Sequence, residues 1–167
     1  MDESAIRKHV RQLDTAKSTD EREQIWMKHL EPFGSRIAPY LLEFFPKARR
    51  WQTRASLVNH ATAYARTSEE AFQLGLRACS DRSTAVRYRA CELLAYAQRD
   101  EALATLKRLR KHPDPRTVGD AERAIDAIKS RNHNYWLDPD HSGQVFVVVW
   151  PEDYPPEVRP KTDPRPR

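Results

Sequence analysis

The sequence predicts an all-α fold, a short right-handed α-α superhelix of stacked helical hairpins followed by a loop and strand cap. Three observations lead there. Apolar residues recur at helical spacing from residue 4 to about 130, and the breaks between these stretches are short and built from Ser, Asp and Pro. An Arg-Ala doublet also returns at intervals of 35 and 34 residues.

Each element can be justified in turn. Residues 4–16 place Ala5, Ile6, Val10 and Leu13 on one helical face. Ser18-Thr19-Asp20 breaks the chain, and a second helix runs to about Leu30 with Ile25 and Trp26 turned inward. Pro32-Phe33-Gly34-Ser35 ends it. Residues 37–45 form a short apolar helix with Pro39 in its first turn, closed by Pro46. A longer helix over 48–66 has Trp51, Ala55, Val58, Thr62 and Ala65 as its inner stripe. Thr67 or Ser68 caps the next helix, over 71–79. The turn Ser80-Asp81-Arg82 leads into residues 83–98, which bury Val86, Ala90, Leu93, Leu94 and Ala97. Residues 100–111 carry Leu103, Leu106 and Leu109. After His112-Pro113-Asp114-Pro115, the helix over 118–129 buries Ala121, Ala124, Ile125 and Ile128.

These helices pair into hairpins over 36–66, 68–98 and 99–130, with a less regular pair over 4–31 capping one end, so that 1–131 is one repeat domain. The doublets Arg54-Ala55, Arg89-Ala90 and Arg123-Ala124 mark the period. The stretch Asp81-Arg82-Ser83-Thr84-Ala85-Val86-Arg87-Tyr88-Arg89-Ala90 resembles the HEAT-repeat pattern: an Asp in the inter-helix turn, then Val-Arg, then Ala two residues on. Asp114 and Val118 keep part of that pattern, with Gly119 in the arginine position, while Trp51-Gln52 stands where Val-Arg would. The resemblance implies an armadillo-like α-solenoid in which Asp81 and Asp114 cap helices and Arg87 runs along the stack.

Beyond the helices, 132–150 reads as a polar-aromatic cap leading into an extended strand at 144–150. Residues 151–167 hold six of the 12 prolines and read as a disordered tail.

Charge narrows the function. The chain carries 29 basic and 24 acidic residues, and residues 47–131 alone hold 18 against 10, so the excess sits on the repeats. Such a field favours an acidic partner. Only 4 glycines occur, and neither the dinucleotide nor the nucleoside-triphosphate loop pattern is present. The longest apolar run, around 145–150, is far too short to span a bilayer, and the charged first 14 residues form no leader, so a cytoplasmic, membrane-free chain is expected. Cys79 and Cys91 read as reduced core residues.

Second helices of a solenoid line its concave wall. Arg54, Arg89 and Arg123 therefore read as a ladder facing one partner, extended by Arg50 and Arg82, because a guanidinium forks onto carboxylate or phosphate. The bland alternative is that these arginines only lie over the apolar stripe. Trp26 and Trp51 fill the core most simply, but an exposed Trp51 between Arg50 and Arg54 makes an interface anchor or a stacking platform. In the loop, His133, Tyr135, Trp136 and His141 are candidate contacts, and Asp138 and Asp140 read as turn caps. Their spacing matches no closed zinc motif, so no metal or cofactor is expected. No nucleophile–base set is apparent either.

The reading is a non-catalytic protein-binding module, an adaptor or inhibitor. The HEAT resemblance implies, among other roles, that of an immunity protein that neutralises a toxin. It equally implies a DNA-binding or alkylated-base glycosylase role on the same basic wall, or that of a scaffold subunit.

Overall fold

Eight α-helices form among residues 3–167, the residues that the computed structural model of the chain describes. They are α1 (Glu3–Gln12), α2 (Thr19–His29), α3 (Ala38–Phe44), α4 (Trp51–Ala61), α5 (Glu69–Ala78), α6 (Thr84–Ala97), α7 (Leu103–Leu109) and α8 (Pro115–Lys129). Their starts follow from side-chain capping. Ser18 accepts from the Glu21 amide, Ser68 from Ala71 and Asp114 from Arg116, each satisfying a helical N–H that has no partner within its helix. Pro39 and Pro115 sit where a missing N–H costs nothing. No helix among the described residues is long and apolar enough to cross a membrane.

The packing is sequential. α4 lies against α6 and α6 against α8, while α1 lies against α3 and α3 against α5. α5 meets α6 closely at Gly75, where a Cβ would run into Leu93. One apolar core runs through all the pairs, from Ile6 and Trp26 to Leu93, Leu106 and Ile128.

Two expectations are corrected. The inner stripe of α4 is Thr53, Arg54, Leu57, Val58 and Ala61, so Trp51 faces outward, 47% exposed, and Ala55 is half-buried. At 100° per residue this stripe is centred about a quarter turn round the helix from Trp51. Second, residues 144–150 form no strand, and no strand occurs among the described residues. With no neighbouring edge to pair with, the segment gives its amides to side chains instead: Val147 N–H to Asn134 Oδ1 at 2.8 Å, and the Val149 and Trp150 amides to Asp153 Oδ2 at 3.1 and 2.9 Å. Val147 and Trp150 belong to the main core. Residues 151–167 lie against the body. They make short 3-10 turns at Pro151–Asp153 and Pro156–Val158, and the last of them lie over Trp150.

Candidate functional site

The arginines divide into two sets with different work. Arg22, Arg54 and Arg87 stand 32 and 33 residues apart, and all three are buried, at 6%, 7% and 4% exposure. Each donates Nη1 to the carbonyl six residues earlier: Ala16 at 3.5 Å, Ala48 at 3.2 Å and Asp81 at 2.8 Å. Two of them also reach forward by the same step of 27 residues to a turn carboxylate. Arg54 forks onto Asp81 at 2.6 and 3.1 Å, and Arg87 reaches Asp114 at 3.0 Å. A guanidinium suits this place because its fork satisfies a carbonyl and a carboxylate together.

Asp81 and Asp114 are thus structural at both ends, each binding an arginine and an amide of the following turn. At Asp114 the Thr84 hydroxyl at 2.8 Å leads the stabilisation of the anion, helped by Thr117, the Arg116 amide and Arg87. Together they hold its pKa down at about 2. Arg54 is therefore corrected from a ladder residue to a buried fastening.

A groove of about 1030 Å³ opens on the other face of α4, α6 and α8. It gathers Trp51 and Ala55 from α4, Thr84, Tyr88 and Arg89 from α6, and Arg116, Gly119, Asp120 and Arg123 from α8. Three predicted residues meet here: Trp51, Arg89 and Arg123. The residue in step with the two arginines, 34 positions before Arg89, is Ala55 rather than Arg54. A smaller recess of about 180 Å³ continues past Trp51 and Gln52 to Thr19 and Glu23 of α2. Gly119 leaves the floor open, since a Cβ there meets no heavy atom within 4 Å.

The groove's charge is partly balanced within itself. Arg89 bonds Glu92 at 2.6 Å, and Arg123 bonds Asp120, which is 6% exposed. Arg116 is exposed and enters no ion pair among the described residues. Burial, then Glu92, pushes the Tyr88 phenol up, so it stays a neutral donor at physiological pH. The surface is one exposed indole among smaller residues, ringed by Arg89, Arg116 and Arg123 and by the acids Glu92, Asp120 and Glu122, so its charge is mixed.

Arg50 and Arg82 are exposed and lie outside the groove; Arg50 donates to the Ala16 carbonyl at 2.8 Å. The loop residues are engaged within the fold. Trp136 is 1% exposed, with Arg123 4.7 Å above its ring. His133 Nε2–H donates to the Val147 carbonyl at 2.9 Å and its Nδ1 accepts from Arg66 at 3.0 Å. Burial lowers its pKa, in keeping with this neutral form. His141 bonds Asp126 at 2.6 Å and stacks on Tyr135. Asp138 caps its own turn through Ser142 and Gly143.

Among the described residues no three His, Cys, Asp or Glu side chains converge as a metal set. Cys79 and Cys91 are both buried, and the Cys91 thiol is pushed up by its hydrogen bond with Cys79 and by burial, which leaves it a poor nucleophile.

Tyr88, Arg116 and Asp120 escaped the sequence reading. Their signal was present in the spacing: Ala85, Tyr88 and Arg89 share one face of α6, as Arg116, Gly119 and Arg123 do of α8.

No protein-family model matches the chain, and no curated protein matches its sequence.

Proposed function

We propose that the chain is a HEAT-like α-solenoid acting as a non-catalytic binding module, an adaptor or inhibitor that holds one protein partner in the groove of α4, α6 and α8. The observation that carries this reading is Trp51, 47% exposed on the wall of a groove that also presents Arg89, Arg116 and Arg123. An exposed indole ringed by arginines is the usual make-up of an interface anchor. The solenoid part draws support from the side-by-side order of α4, α6 and α8 and from the recurring Arg22, Arg54 and Arg87 contacts. Arg116, which enters no ion pair among the described residues, favours a partner segment with an acidic residue beside an apolar anchor. An immunity-protein-like role then means a one-to-one complex with a toxin enzyme.

Two observations weigh against a phosphate-tracking groove. Arg89 and Arg123 already hold Glu92 and Asp120, and Glu122 adds a further negative charge. A nucleic-acid reading, with glycosylase-like chemistry, draws on one feature: Asp120 lies in the same groove as the stacking surface of Trp51.

Affinity capture from the native cell extract at two salt concentrations separates them, with protein and nucleic acid both identified. The expected result is one stoichiometric protein, held at both salts, whose affinity for the Trp51→Ala chain falls about 30-fold or more. Recovery of nucleic acid that is lost steeply at the higher salt, with no stoichiometric protein, overturns the reading.

A further inference from the structure

On another part of the surface, Trp150 is held rigidly and offers its ring to cations. It is 6% exposed, its Nε1–H donates to the Ala63 carbonyl at 2.7 Å, and Tyr64, itself 4% exposed, lies 6.3 Å away at a tilt. Two guanidinium groups from the end of the chain sit over this one indole, Arg165 at 4.5 Å and Arg167 at 4.8 Å from the ring centroid. Each is also read by its hydrogen-bonding fork. Arg165 Nη2 donates to the Val149 carbonyl at 2.7 Å, and Arg167 gives Nη1 and Nη2 to the two Glu152 oxygens at 2.7 Å each. Glu31 adds negative charge to the adjoining cleft of about 280 Å³, which Trp150, Tyr64 and Arg165 line.

The backbone beneath is shaped for this contact. Gly34 has φ +56, and a Cβ there would run into the Arg167 carbonyl, so the approach requires glycine.

Little else holds 160–167. All its residues but Asp163 are exposed, and Asp163 braces Arg165 from within the same segment. Two cation–π contacts, one exposed ion pair, one hydrogen bond to the Val149 carbonyl and the close approach to Gly34 are weak by comparison with the entropy of fixing eight residues. A segment held so lightly can leave its seat, which would uncover the indole and its two acceptors.

We propose that Trp150, Glu152 and the Val149 carbonyl form a recognition site for an arginine pair spaced two apart, filled in cis by Arg165 and Arg167 and open by exchange to an Arg-X-Arg segment of another protein chain. The site lies apart from the groove of α4, α6 and α8, shares none of its residues, and stands independently of the function proposed for that groove.

The test is fluorescence anisotropy with a labelled heptapeptide of the sequence of residues 161–167, added to the full chain. The Arg165→Ala/Arg167→Ala chain, freed of its own competitor, binds the peptide at least tenfold more tightly than the wild type. Adding Glu152→Gln to that chain lowers the affinity at least tenfold. So does replacing both arginines of the peptide by lysine, a change that leaves the protein untouched and removes the fork. Circular dichroism reports the same helical signal for every variant. Equal affinity of the wild-type and double-variant chains, or equal binding of the lysine peptide, overturns the proposal.

Discussion

Arg54 and Arg89 lie on neighbouring helices beside the same kind of alanine, and their fates diverge completely. Arg54 is closed between Asp81, the Ala48 carbonyl and the Arg49 carbonyl, whereas Arg89 stands at the groove with Glu92. Truncating Arg54 strands the Asp81 carboxylate, whose side chain is 7% exposed. Arg54→Ala therefore destabilises the chain by roughly 3–5 kcal/mol, read by urea denaturation, and Arg54→Lys does not restore it because a lysine cannot fork. A pH dependence follows at Asp114. Its folded pKa, about 2, lies below the ordinary 3.8, so the folded state binds fewer protons than the unfolded one between those values. The stabilisation is complete above about pH 4 and disappears as pH falls through 2. Acid titration of Asp114→Asn against the wild type checks this: the two stability curves converge toward pH 2 and separate above pH 4.

At the scale of elements, the helices were legible and their neighbours less so. Ser18, Ser68 and Asp114 announce three helix starts by chemistry that needs no tertiary contact. The segment over 144–150 shows the opposite case. Its β-branched run reads as a strand, yet pairing is a property of two segments, and no second one is present among the described residues. Asp153 does the work of a partner strand, taking the Val149 and Trp150 amides, the Tyr96 hydroxyl at 2.8 Å and Arg66 at 3.2 Å. Asp153→Ala leaves a buried phenol and two amides without an acceptor, a cost of about 1–3 kcal/mol per stranded group. Hydrogen exchange at Val149 and Trp150 should accelerate at least tenfold while exchange in α6 keeps its rate. Equal acceleration in both would mean that the cap and helices open as one unit.

For the whole molecule, stability and recognition draw on different residues. The buried arginines fasten neighbouring helices to each other, and the groove draws on exposed and half-buried side chains, Trp51, Arg89 and Arg116 among them. Trp51→Ala accordingly leaves the unfolding midpoint almost unchanged, within about 0.5 kcal/mol of wild type, while removing the groove's anchor. That residues 3–131 would be helical, with starts at Ser18, Ser68 and Asp114, was legible from apolar periodicity and turn chemistry, because both act within a few residues of chain. Which arginines are buried and which stay exposed was decided only by the tertiary structure. A helix turns by 100° per residue, so a buried stripe centred about a quarter turn from the expected one leaves Trp51 on the surface and takes Arg54 into the interior. Periodicity marks a face, but only the neighbouring helix and its turn carboxylate determine whether that face is covered.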